Sequence, residues 1–482
     1  MPRRERYAII GTGSRSGLYQ RGLLADFAES CELAALVDTN ATRMAYWNRH
    51  FGVELGTDPV PAFRPDELEA VIRDRGIDRV VVTTPDSTHD EYIARSLDAG
   101  CGVVCEKPVA TDADRLARIF DAVERTGGEV RVAHNYRYAP RHAQVRALLA
   151  DGVIGEVTSV HFEWLLDTCH GADYFRRWHR DRRRSGTLLV HKACHHFDLV
   201  RWWIEADPAN VYAAAGLRYY GRENAERQGN ARGYERSTGA PGAEHDPFAL
   251  QMDRDERLRG LYLDAEHEDG YIRDRCVFGD GITIDDDMAA IVRYTSGATM
   301  TYRLTAYAPW EGYRVAFNGT RGRLEYEVEE RSYVSGSWTD HNSESAIDPS
   351  RGEIEIAEPI RLLVRPTWGR PRRIEVDAGR GEGGHGGGDR RLLRDLFGAP
   401  GQTPRGDPLR QAATHVDGAW AVLTGAAAVR SAQTGGQVEI ADLFDLSRLA
   451  PPPRADGPGP GARAQPAPAS SSTESRQRCT AP

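Results

Sequence analysis

The chain has 482 residues and carries 62 Lys and Arg against 71 Asp and Glu, a formal charge of −9. That balance, without a strongly basic block, argues against a nucleic-acid binder working through a basic surface. Apolar residues make up 40% and charged residues 28%, a mixture able to bury a large core, and the apolar runs fall well short of the ~18 residues a membrane span needs. Met1-Pro2-Arg3-Arg4 runs straight into the strand-like Tyr7–Ile10, so no signal-peptide apolar region is expected there. Seven scattered cysteines without C-x-x-C spacing read as reduced thiols, so a cytoplasmic protein is expected.

Through the first 135 residues, apolar runs at Tyr7–Ile10, Leu33–Val37, Arg79–Thr84, Gly102–Cys105 and Val130–Ala133 alternate with segments of helical spacing. Near-continuous apolar strands between amphipathic helices predict a doubly wound parallel sheet, a Rossmann domain over 1–138. A helix over Arg141–Asp151 then leads to a strand at Val157–Leu166 and a helical stretch at His191–Ile204. Alternating strands follow at Val211–Ala215, Ala290–Tyr294, Thr299–Leu304, Arg314–Asn318 and Arg323–Tyr326, with turn residues Ser296-Gly297 and Gly319–Gly322 between neighbours. These predict an open-faced, mainly antiparallel sheet domain over 139–445. Its polar, Gly-rich insertion at 221–279 reads as surface decoration or a subunit contact. An Ala-rich helix is expected at Ala412–Ala432. The tail, 446–482, holds 8 prolines in its last 32 residues and is expected to be disordered.

The first strand runs into Gly11-Thr12-Gly13-Ser14-Arg15-Ser16-Gly17. Gly11 suits a tight turn, Gly13 a close approach to pyrophosphate, and the helix beginning near Ser14, Arg15 and Ser16 offers N–H groups to phosphates. Ser16 stands where a third glycine is expected. Asp38 ends the second strand, 27 residues after Gly11, where a carboxylate accepts ribose hydroxyls and repels a 2′-phosphate. NAD is therefore expected over NADP. Two further strand ends carry Thr84-Pro85-Asp86-Ser87-Thr88-His89 and Glu106-Lys107-Pro108. A lysine at a buried strand end facing the cofactor crevice suits proton transfer. Lys107 could instead pair with Glu106 or hold ribose hydroxyls.

Together with Asn135-Tyr136-Arg137, these elements resemble the glucose–fructose oxidoreductase / inositol dehydrogenase / MocA (Gfo/Idh/MocA) family over roughly residues 6–445. The resemblance implies an NAD(P) domain, an open-faced sheet domain with substrate between the two, and a Lys107 that fixes cofactor and substrate and takes part in proton transfer. Substrates would be sugars, inositols or their derivatives, and a homo-oligomer is implied. Relatives commonly show Asp, His four later, and Asp three after that. Matching Asp198 to the last acid puts His195 at the catalytic histidine and His191 where relatives have Asp. Spacing i, i+4 places His191 and His195 on one helix face, as a proton relay or a metal pair. With no third ligand evident, the relay is preferred and no metal is expected. His196 reads as structural.

Upstream, Cys169–Arg180 mixes aromatic and basic groups on an apparent loop: Tyr174, Arg177, Trp178 and His179 suit a polyhydroxyl substrate, or a charged surface with anchoring rings. Late in the chain, Gly383–Asp389 precedes a helix; His385 could face the pocket, sit on a hairpin tip, or mark an anion site. The full candidate set is Lys107, His195 and His191 for chemistry, with His195 as the base coupled to Lys107. Gly11, Gly13, Ser14, Arg15, Ser16, Asp38, Thr84, Pro85, His89, Glu106, Lys107 and Asn135 are assigned to cofactor. Lys107, Tyr136, Arg137, Tyr174, Arg177, Trp178, His179, His191, His195 and His385 are assigned to a carbohydrate-like substrate. The expected activity is NAD-dependent oxidation of a secondary alcohol; alternatives are an NAD-cycling glycosidase or lyase and a non-catalytic NAD or sugar sensor.

Overall fold

In the computed structural model, residues 3–336, 360–376, 385–398 and 407–449 are described. The expected motif residues Gly383 and Gly384 and the tail from 450 lie outside them. Six parallel strands form the first sheet: β1 (Glu5–Ile10), β2 (Cys31–Val37), β3 (Ala62–Phe63), β4 (Arg79–Val82), β5 (Gly102–Cys105) and β6 (Val130–Val132). Helices on both faces explain the unbroken apolar runs, with Ala8, Ile9, Val80, Val81, Val82 and Val103 all fully buried. Two of these helices, Ala41–Leu55 and Ala113–Thr126, start at side-chain caps from Asn40 and Asp112. Strand order β6-β5-β4-β1-β2-β3 reverses between β1 and β4, which opens a crevice at their carboxyl ends.

The second sheet contains β7 (Val157–Asp167), β8 (Pro208–Gly216), β9 (Asp287–Tyr294), β10 (Thr299–Ala308), β11 (Glu311–Gly319), β12 (Gly322–Arg331), β13 (Arg361–Pro366) and β14 (Arg372–Ile374). Pairing is antiparallel except between β7 and β10. Helices Pro140–Ala150, Cys194–Ile204 and His415–Thr434 cover one face, where Trp203 packs on Phe317 and His196 bonds Tyr302 at 2.7 Å. The other face is open and exposes Tyr212 and Ile291 beside paired charges such as Arg303 and Asp287.

Several elements differ from expectation. The stretch expected as one helix from His191 is two, Leu188–His191 and Cys194–Ile204, so His191 and His195 sit on separate helices. Cys169–Arg176 is helical, because Asp167 accepts the N–H groups of Cys169 and His170 and caps it; a 3-10 turn, Trp178–Arg180, follows. The chain also returns to the first lobe late. Helix Gly388–Phe397 buries Leu392, Leu393 and Phe397 against Tyr7, Tyr19 and Leu33, and β15 (Ala413–Thr414) pairs antiparallel with β6. A short β16 (Val438–Glu439) closes the second sheet against β8, and Leu446–Leu449, expected within the tail, forms a turn with Leu449 buried. The insertion likewise crosses to the first lobe, its Leu250, Met252, Leu258, Leu261 and Tyr262 clustering with Tyr46, Trp47 and Phe51.

Candidate active site

A cleft of about 800 Å³ runs between the lobes at the carboxyl ends of β1, β4 and β5. Its first wall is the turn after β1. Gly11 has φ +87°, and a Cβ there would lie 2.7 Å from the Thr84 backbone nitrogen, so only glycine fits. The third close-packed position is Gly17 rather than Ser16: a Cβ on Gly17 would meet the Trp47 ring at 2.3 Å, and that indole donates to Thr12 O. Ser16 points away from the cleft because its hydroxyl is bonded to Gly13 O at 2.7 Å. Asp38 directly follows the last residue of β2 and lines the cleft, accepting from Thr12 N–H, Thr12 O–H and Asn40 N–H.

Glu106 does not pair with the Lys107 ammonium. Its carboxylate accepts from Arg15 at 2.5 Å, Tyr19 at 2.7 Å and the Lys107 backbone N–H at 3.1 Å, which leaves the Lys107 side chain to the cleft. Burial opposes the Glu106 charge, but Arg15 and Lys107 outweigh it and hold the carboxyl below its ordinary range. Arg15 also pairs with Asp389, which receives Asn135 at 2.7 Å and His385 at 2.8 Å. Against burial, Arg15 and His385 keep Asp389 well below the usual carboxylate range. The spot expected to offer an anion site before helix Gly388–Phe397 is thus filled by the chain's own carboxylate. His385 does line the cleft. The His89 ring sits between the carbonyls of Pro108 (2.8 Å) and Thr84 (2.9 Å) and is 1% exposed, so it braces the two strand-end turns.

On the second lobe's side, His191 Nδ1 lies 2.5 Å from Asp86 Oδ2, both groups buried. Burial raises the Asp86 carboxyl, opposed by Lys107 and Arg177; burial together with Lys107 and Arg177 holds His191 well below the ordinary imidazole range. An imidazole donating Nδ1–H to Asp86 carries its lone pair on Nε2. The His179 ring lies 4.2 Å from that of His191 and Trp178 stacks on His179 at 3.7 Å. His195 stacks flat on Tyr136 at 4.2 Å, and its buried Nδ1 has no hydrogen-bond partner among the described residues. Burial, then Lys107 and Lys192, keeps His195 neutral near pH 7. Tyr174 and Arg177 line the same wall, with Arg177 held by Asp173 at 2.8 Å.

Eighteen of the 21 candidates therefore share one cleft. The exceptions are Ser16, Tyr136 and Arg137. Tyr136 backs His195 instead of facing the cleft. Arg137 is 2% exposed and grips Asp198 through two bonds (2.8 and 2.5 Å) and Asp417 at 3.1 Å, a buried clamp outside the cleft lining. The wall also holds Asp86, His170, Asp173, Lys192, Tyr262, Tyr271 and Arg273, none of them candidates from sequence. Asp86 and Lys192 stand inside motifs already singled out. Tyr262, Tyr271 and Arg273 come from the insertion, whose composition carries no signal for them. Among the described residues, no group of three or more His, Cys, Asp or Glu is arranged to hold a metal ion.

Residues 5–134 match the family model described as "Oxidoreductase family, NAD-binding Rossmann fold", and residues 146–440 match "Oxidoreductase family, C-terminal alpha/beta domain". The Bacillus subtilis (strain 168) protein named "Putative oxidoreductase YteT" is 34% identical over 452 residues, covering 92% of this chain and 99% of that one. An inositol 2-dehydrogenase of Rhizobium meliloti (strain 1021) is 27% identical over 212 residues, 44% of this chain and 58% of that protein. Levoglucosan dehydrogenase, solved in complex with NADH and L-sorbose, shares the fold with a TM-score of 0.59 at 17% identity, covering 91% of this chain and 99% of that one.

Proposed function

Because the chain belongs to the Gfo/Idh/MocA family of NAD-binding oxidoreductases, we propose that it oxidises a secondary alcohol of a sugar, glycoside or cyclitol in the cleft between its lobes. The observation that carries this reading is the convergence of Lys107, His195 and the Asp86–His191 pair at the carboxyl ends of β4 and β5. The cleft fits NAD: the Gly11 turn leaves room only for backbone, Gly13 faces open space apart from the Tyr262 hydroxyl at 3.8 Å, and Asp38 stands where ribose hydroxyls are read. Bound NAD supplies the acceptor for the hydride leaving the carbinol carbon. The hydroxyl proton passes to a neutral base, with His195 in that role and Lys107 orienting the oxygen; the alcohol becomes a ketone. His191 stands where relatives commonly have a carboxylate, and Asp86 returns one to the site through it. Tyr174 and Trp178 offer ring faces to the apolar sides of a sugar.

Assembly into a homo-oligomer through the open sheet face, where Tyr212 and Ile291 pair across β8 and β9, is part of this reading. Among the described residues no helix is long and apolar enough to cross a membrane. The direct test is NADH formation across a panel of sugars, glycosides and inositols, with products identified by mass. Lys107→Ala and His195→Ala are expected to cut turnover by about 10²–10⁴-fold while calorimetry still shows NAD binding. The double variant should lose much less than the product of the single losses, as for groups acting together. Wild-type turnover in His195→Ala would remove it as the base.

A further inference from the structure

Lys192 is 4% exposed yet lines the cleft. Its Nζ sits 3.5 Å from the Tyr136 hydroxyl and 4.9 Å above the Trp164 ring, and among the described residues it forms no ion pair. The two carboxylates whose fields favour its charge are committed elsewhere: Glu311 to His170 at 2.6 Å, Glu330 to Arg141 at 2.9 Å. Burial and then Lys107 work against the charge, pushing Lys192 down to about 8. On the wall of the same cleft, Asp173 is shared by Arg273 at 2.9 Å and Arg177 at 2.8 Å, with Arg176 buried behind it at 3.7 Å. At the mouth, Arg184 and Arg275 are exposed and, among the described residues, form no ion pair.

A buried ammonium without an ion-pair partner is costly, and a cleft whose wall carries more cationic than anionic side chains, Lys107 and Lys192 making the difference, is built for a ligand that brings the missing charge. We propose that the site takes an anionic carbohydrate, a sugar acid whose carboxylate docks on Lys192 while the carbinol to be oxidised faces Lys107 and His195. This rests on the oxidoreductase reading above and names its substrate class. A carboxylate, planar and singly charged, matches one ammonium set against the Trp164 and Tyr136 rings. A phosphate dianion would leave a second charge against those rings. The mouth arginines raise the local concentration of an anion before it reaches Lys192.

Matched pairs test this: a panel of uronates, including galacturonate and glucuronate, against their neutral hexoses, with glucose 6-phosphate as a third arm. Both kcat/KM with NAD and calorimetric affinity in the presence of NADH are read. Acids are expected to be preferred by at least tenfold, the preference shrinking with added NaCl. Lys192→Met should reduce the acid-over-neutral ratio by about tenfold or more, and Lys192→Arg should retain most of it. The double variant Arg184→Gln/Arg275→Gln should flatten the salt dependence of KM for the acids. Preference for neutral hexoses or for the sugar phosphate would overturn the proposal, as would equal loss on acid and neutral sugars in Lys192→Met. Neutral sugars turning over while acids neither react nor bind would sink this inference alone. Neither class reacting or binding would sink the carbohydrate reading with it.

Discussion

At Lys192 the ammonium loses its hydration without gaining a carboxylate among the described residues, and its pKa falls from 10.5 to about 8. Between those values the unfolded chain binds more protons than the folded one, so this group's contribution to stability rises with pH across that window. Below pH 8 the full penalty is present. Lys192→Met should therefore melt about 1–3 °C above wild type at pH 7, with the gain shrinking between pH 8 and 10.5 in scanning calorimetry. A lower melting point at pH 7 would mean the ammonium is better solvated than its contacts suggest. Asp38 carries a second expectation. Its carboxylate would meet the 2′-phosphate of NADP, and Arg43, the nearby cation on the cleft wall, is already paired with Asp269 at 2.7 Å. NAD should bind at least tenfold tighter than NADP in titration, and Asp38→Ala should narrow that gap. Asp38 and Lys107 were legible because each is fixed by its own strand end. Arg137 was misread because its partners, Asp198 and Asp417, stand 61 and 280 residues away.

The insertion shows the same limit for a whole element. Its apolar residues are too scattered to give a period, yet they converge on Tyr46, Trp47 and Phe51 of helix Ala41–Leu55. Glu268 then caps that helix from outside, accepting the Ala41 and Thr42 N–H groups at 2.7 Å each, while Asn40 bonds Ala265 O and Arg43 bonds Leu261 O. Helix N-termini leave such donors without partners of their own, so Glu268→Ala should cost about 1 kcal/mol in urea unfolding. Burial raises the Glu268 carboxyl, but the bonds from Thr42 and Ala41 outweigh it and leave the pKa lowered. Its contribution is accordingly present at neutral pH and lost as pH falls below the ordinary glutamate range. The segment also places Tyr262 beside the dinucleotide turn, where its hydroxyl accepts the Ser14 N–H at 3.0 Å, and sends Arg273 to Asp173 on the other lobe.

Across the whole molecule, the lobes are tied by an ion-pair network of buried Arg137 and Asp198 with partly exposed Arg201 and Asp417, which joins the lobe junction to helices Cys194–Ile204 and His415–Thr434. Removing one member strands the others, so Arg137→Ala should cost about 3–5 kcal/mol and melt both lobes in one lowered transition. Two separated transitions would show that the lobes unfold independently. Legible without the structure were the parallel and antiparallel sheets, the glycine turn, and the strand-end positions of Asp38 and Lys107. Strand period, turn chemistry and the ends of buried strands are written in neighbouring residues, so local reading reaches them. Only the packed chain shows that Asp86 holds His191, that Asp389 gathers Arg15, Asn135 and His385, and that Lys192, on the cleft wall, has no ion-pair partner among the described residues. Each of these is a charge relation between residues distant in the chain. Its sign and strength come from burial and close approach, which exist only once the two lobes, the insertion and the final helix have packed together.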